Sequence, residues 1–102
     1  PICFTGYHLP FAATAAALHS MTKSLARELA PYVRVNTIAC GMLDEPWIDE
    51  GGPELRISMQ KSIPLARLCR PTDVADAVSF LALGADFMSG QMLVLDGGET
   101  MR

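Results

Sequence analysis

Few side chains in this sequence are both chemically capable and usefully spaced. Tyr7 is the nearest phenol to a long alanine-rich stretch that begins at Phe11. A phenol has an ordinary pKa near ~10, so it needs a neighbouring cation to act as a base near neutral pH. One helical turn on, where that cation would be needed, stands Phe11. His8 and His19 have no carboxylate at a fixed spacing, which suits packing or surface roles. Lys23 reads as a solvated cation and Tyr32 as a capping or packing residue. Asp44, Glu45, Asp49, Glu50 and Glu54 crowd one stretch, but no cation-ligand spacing recurs among them, so they read as a solvated loop. Cys3, Cys40 and Cys69 lack metal-ligand spacing and read as small hydrophobes. Their odd count fits reduced thiols in a cytoplasmic compartment.

Composition narrows the class. Of the 102 residues, 50% are hydrophobic and 19% charged, as in a globular domain. Net charge is −3 and there is no basic run, which argues against a nucleic-acid partner. No charged side chain precedes Lys23, but Gly6, His8 and Pro10 break the segment. The apolar run is too short to span a bilayer, and no basic leader precedes it. The chain opens on Pro1, which fits processing or a longer parent polypeptide.

These side chains must be positioned by a short series of elements. Leu18, Met21, Thr22, Leu25 and Leu29 recur at helical spacing, predicting a helix over 10–30 with those residues on one face. The alanines between Phe11 and Ala17 permit close approach of a neighbour, and Pro31 stops the helix. The β-branched run from Val33 predicts a strand over 33–39. Residues 42–66 read as a long irregular loop with a short helix from Pro53 to Lys61. Pro71 and Asp73 open a helix over 71–83, with Val74, Ala77, Val78 and Leu81 inward and Gly84 as its cap. Met92 to Leu95 reads as a strand buried on both faces, within 91–95. Strand, crossover helix and strand predict a parallel pair. The fold class is therefore α/β, in one domain over 1–102.

Phe11 to Pro31, the Arg34-Val35-Asn36 core, the Cys40-Gly41 turn, Ser89-Gly90 and Asp96-Gly97-Gly98 occur in an order that resembles the C-terminal part of a short-chain dehydrogenase/reductase. Residues His8, Phe11 to Pro31 and Asp96 to Arg102 are also similar, more faintly, to pteridine-reductase-like members. The resemblance implies a Rossmann-type parallel sheet, with 42–66 as a substrate lid. It implies NAD or NADP as cofactor, with Gly41, Leu43 and Glu45 beside it and Met42 and Trp47 toward substrate. Trp47 suits either a ligand contact or a lid anchor.

The sequence also departs from the family pattern. The family's catalytic Tyr and Lys positions carry Phe11 and Ala15, its turn Pro is Cys40, and a Thr that meets the nicotinamide amide aligns with Glu45. The pattern's Ser would fall before Pro1. No glycine-rich strand-turn-helix fingerprint is present, since Gly51-Gly52 and Gly97-Gly98 do not open a helix after a strand. Loss of a general acid/base alone typically costs ~10²–10⁴-fold. Three readings follow. One is a catalytically degenerate structural or interaction module that binds no cofactor by itself. Another is an oxidoreductase whose cofactor-binding half lies elsewhere. The third is a small-molecule binding module. Strand 33–39 would keep one neighbour and lack the other, which predicts a homo-oligomer or a complex with a complementary N-terminal half.

Overall fold

The computed structural model describes the backbone of residues 9–101 and the side chains of 13–101. Tyr7 and His8 therefore lie outside the described residues, as does the side chain of Phe11. Six elements follow in order: α1 (Leu9–Leu29), β1 (Thr37–Cys40), α2 (Trp47–Glu50), α3 (Pro53–Lys61), α4 (Pro71–Leu83) and β2 (Met92–Leu95). The strands pair in parallel, Thr37 opposite Met92 and Cys40 opposite Leu95. The crossover through α4 dictates this, because a parallel partner must be reached by a long return.

Helix α1 has the predicted period, but of the stripe Leu18, Met21, Thr22, Leu25 and Leu29 only Thr22 turns inward. Leu18, Met21, Leu25 and Leu29 remain 42–58% exposed, whereas Thr22 and Ala26 are buried. The Thr22 hydroxyl pairs with that of Thr37 on β1 and also donates to the Leu18 carbonyl at 2.8 Å. Small side chains let the helix lie close to the sheet. A Cβ on Gly90 would stand only 3.5 Å from the Ala26 methyl. The larger Leu/Met stripe thus faces away from β1.

β1 begins four residues later than the β-branched run implies. Residues 33–36 are tied to the turn after α4 mainly by side chains, with one backbone bond from the Gly90 N–H to the Val35 carbonyl at 2.7 Å. Arg34 donates to the carbonyls of Ala85 (2.7 Å), Met88 (3.4 Å) and Ala82 (3.4 Å), satisfying groups in the last turn of α4 and just beyond it. Asn36 donates to the Met88 carbonyl at 3.0 Å and accepts from the Gln91 N–H at 3.1 Å. The Val35 N–H donates to the Ser89 hydroxyl at 3.2 Å.

Helix α4 spans the predicted 71–83 and opens as expected. Pro71 occupies the first turn, and the Asp73 carboxylate accepts the Arg70 N–H at 2.8 Å. Gly84 caps the other end by donating to the Phe80 carbonyl at 3.0 Å, at φ −130°, so it needs no left-handed conformation. Ala77 and Leu81 are buried, but Val78 is half exposed. Val78 and Leu81 line an open groove of about 320 Å³ with Arg34, Asn36, Ile38 and Ala82. Among the described residues β2 is the only strand paired with β1, so the other edge of β1 has no strand partner there.

The 42–66 segment is more ordered than a loop reading allows. Helix α3 runs from Pro53 to Lys61 as predicted, and the extra turn α2 precedes it. Ile48 of α2 is fully buried and packs with Ile63 and Leu68, flanked by Met42 and Met59. No described helix is long and apolar enough to cross a membrane.

Candidate functional site

The segment Gly41 to Trp47 leaves the carboxyl end of β1, where ligands of open parallel sheets bind. Gly41 donates its N–H to the Leu95 carbonyl at 2.8 Å and continues the register for one residue. A Cβ there would come within 3.0 Å of the Asp96 Cα and 3.3 Å of the Glu99 carboxylate, so close packing requires glycine. Leu43 forms a parallel bridge with Cys69. The Cys69 N–H donates to the Met42 carbonyl at 2.8 Å, and the Asp44 N–H donates to the Cys69 carbonyl at 2.7 Å. The sequence-predicted cofactor residues Gly41, Leu43 and Glu45 therefore share one backbone-locked strip.

The two residues assigned toward substrate separate. Met42 packs on the Ile48–Ile63–Leu68 cluster and borders a cavity of about 500 Å³ with Leu65, Val94 and Met101. Trp47 points outward, 51% exposed, and its indole N–H donates to Glu45 at 2.8 Å. The residue that anchors the 42–66 segment is Ile48, one residue on, which hydropathy around Trp47 does not single out. Tyr32 neither packs nor caps with its ring, which is 91% exposed; its backbone N–H closes α1 on the Leu29 carbonyl at 3.0 Å.

Charged groups brace this end of the sheet. Arg56 donates to Asp44 at 2.9 Å and to Asp49 at 2.9 and 3.1 Å, joining α3 to the strip and to α2. The hydrogen bond from Arg56 holds the Asp44 carboxyl below its ordinary range. Arg67 makes two parallel bonds to Asp73, at 2.7 and 3.1 Å. That pair, with the Arg70 N–H, draws the Asp73 pKa down to about 2. Asp96 accepts from the Thr100 hydroxyl at 2.6 Å and from the Thr100 and Gly98 N–H groups at 2.9 Å, which lowers its pKa. Burial, then the Asp96 charge, raises that of Glu99. Two of the five acidic residues of the 44–54 stretch, Asp44 and Asp49, are thus guanidinium partners. Pairwise spacing hides this because Arg56 reaches across two helices. Among the described residues no three His, Cys, Asp or Glu side chains cluster to hold a metal.

Ala15, half-buried on α1, is neutral where an ammonium would be needed. Glu45 presents a carboxylate bonded to Trp47. Arg56 and Arg67, the guanidiniums fixed beside the strip, are committed to carboxylates. Among the described residues, the side chains of the 41–47 strip itself offer a dinucleotide no cation.

The parallel pair joined through α4, with the bridged strip at its carboxyl end, defines a Rossmann-type unit. A family model described as enoyl-(acyl carrier protein) reductase matches residues 2–100, and the chain belongs to the short-chain dehydrogenase/reductase family. It is 35% identical to the short-chain dehydrogenase/reductase homolog YusR of Bacillus subtilis, over 94% of this chain and 73% of that protein. It is 40% identical to the 3-oxoacyl-acyl-carrier-protein reductase FabG of Staphylococcus aureus, over 89% of this chain and 38% of the relative. A crystal structure of a 3-oxoacyl-acyl-carrier-protein reductase with bound NAD from Brucella melitensis superposes with a TM-score of 0.80 at 36% identity, covering 95% of this chain and 37% of that one. The chain spans 35–41% of the length of the first curated relatives it matches.

Proposed function

We propose that this chain is a non-catalytic short-chain dehydrogenase/reductase-type module that works by docking on a partner sheet. The observation that carries this reading is the edge of β1 left without a strand partner among the described residues, together with the groove that Ile38 of β1 shares with Arg34 and Val78. An open edge with apolar flanks is a template for another strand. The exposed Leu18, Met21, Leu25 and Leu29 of α1 add a second uncovered face. The occupant is a second copy or a complementary N-terminal half. Reduced thiols fit a cytoplasmic setting.

The chemistry agrees with the docking role. Phe11 has no hydroxyl to give or take a proton, and Ala15 has no charge to acidify a phenol. We therefore expect no hydride transfer by the chain alone. Nicotinamide absorbance followed with ketones, quinones and pterins tests this. Turnover would overturn it, and turnover lost in Tyr7→Phe would identify a displaced proton donor. Phe11→Tyr combined with Ala15→Lys should not restore activity without an N-terminal half.

A second reading is an NAD- or NADP-dependent oxidoreductase completed by a cofactor-binding half. The NAD carried by the Brucella relative, at 36% identity, favours it. Mixing this chain with a separately produced N-terminal half of a relative, then titrating NADH, distinguishes the two. Docking without nicotinamide turnover supports the first reading, and turnover supports the second.

A further inference from the structure

Cys40 and Cys69 are 29 positions apart in sequence, yet the fold brings them to one place. Along β1, Thr37 faces α1 through its hydroxyl pair with Thr22, whereas Ile38 lines the α4 groove. Side chains alternate along a strand, so Cys40 takes the α4 side at the carboxyl end of β1. In a parallel unit the crossover helix runs back against the strands, which puts the start of α4 at that same end. Cys69 stands two residues before Pro71, the first residue of α4. Its backbone is bonded to the strip that follows Cys40: its N–H donates to the Met42 carbonyl at 2.8 Å, and it bridges Leu43. Both cysteines are free and half-buried. The Cys69 thiol donates weakly to the Arg70 carbonyl at 3.8 Å, and burial, then the charge of Cys40, raises its pKa.

We infer that Cys40 and Cys69 form an oxidisable dithiol, a modification site that peroxides close into a disulfide between the end of β1 and the start of α4. One thiolate attacks a peroxide oxygen, the O–O bond breaks, and a sulfenic acid forms with release of hydroxide, which takes up a proton as water. The second thiol then attacks the sulfenic sulfur, the S–O bond breaks, and water leaves. Two thiols are oxidised to one disulfide, and one hydrogen peroxide is reduced to two waters. A dithiol reductant reverses the step by exchange. The bond would brace Gly41 to Glu45 from the α4 side, over the strip where Arg56 and the Leu43–Cys69 bridge already hold it. The site depends on Cys40 and Cys69 alone and stands whether or not the docking reading does.

The test treats the purified full chain with hydrogen peroxide and maps its thiols by mass spectrometry, before and after a dithiol reductant. The expected result is loss of two of the three thiols and a crosslink joining the tryptic peptide 35–56 to the peptide 68–102. Cys40→Ser and Cys69→Ser should each abolish that crosslink, whereas Cys3→Ser should leave it. The oxidised chain should also melt at a higher temperature than the reduced one, and the Cys69→Ser chain should not. A crosslink through Cys3, stable sulfenic acids at both positions without a crosslink, or three intact thiols would each overturn the assignment.

Discussion

Replacing Ile48 with alanine tests which residue holds the 42–66 segment to the rest of the chain. Ile48 is the only described side chain reported as fully buried, with 0% exposure, and its partners Ile63 and Leu68 are 4% and 2% exposed. Truncation removes three carbons from a site whose walls belong to two other segments, so it leaves a cavity that collapses only in part. Such changes cost ~2–5 kcal/mol, against a total of about 5–15 kcal/mol for a folded domain. For a chain of this size the melting temperature should fall by on the order of 10 °C or more. Trp47 provides the contrast. Its indole is 51% exposed and bonds to an exposed carboxylate. Trp47→Ala should therefore cost no more than about 1–2 kcal/mol. Thermal melts by circular dichroism, at one fixed protein concentration so that association does not distort the comparison, would rank the two variants. If Trp47→Ala destabilises as much as Ile48→Ala, the indole is the anchor and the packing account of the 42–66 segment is wrong.

Other outcomes follow from the same geometry. The lowered Asp73 pKa means that its contribution to stability is full above the ordinary carboxylate range and drains away as pH falls toward about 2; helicity followed through an acid titration should lose that acid-sensitive phase in Asp73→Asn. Glu99 has the opposite sign: its raised pKa makes ionisation oppose folding, so Glu99→Gln should raise the melting temperature at neutral pH and flatten its decline as pH rises above the acidic range. Gly41→Ala places a methyl 3.0 Å from the Asp96 Cα, and denaturant melts should show a loss of about 1–3 kcal/mol. The chain should not run as a monodisperse monomer in size-exclusion chromatography with light scattering at micromolar concentration. Ile38→Lys, on β1 and in the groove, should shift it toward monomer; an unchanged profile would place the contact elsewhere.

The sequence alone determined the elements whose causes are local. Helical period, Pro53, Pro71 and Asp73 act within one turn, and α3 and α4 occupy the stretches those residues predict. The order strand, helix, strand implied a parallel pair because the chain has no other way back, and β1 and β2 pair so. Phe11 and Ala15 stood out through their place in a family pattern. What the tertiary structure decided was which surfaces meet. The period of α1 is the same whether its Leu/Met stripe or its Thr22–Ala26 stripe faces inward; the choice rests on how closely β1 can approach small side chains. The β-branched run does not reveal that Arg34 and Asn36 serve the turn after α4 instead of a ladder. Nor does spacing reveal that Ile48 outranks Trp47, that Arg56 gathers Asp44 and Asp49, or that Cys40 and Cys69 share one end of the sheet. Those facts depend on groups far apart in sequence, and the free energy that selects them exists only once the elements have packed.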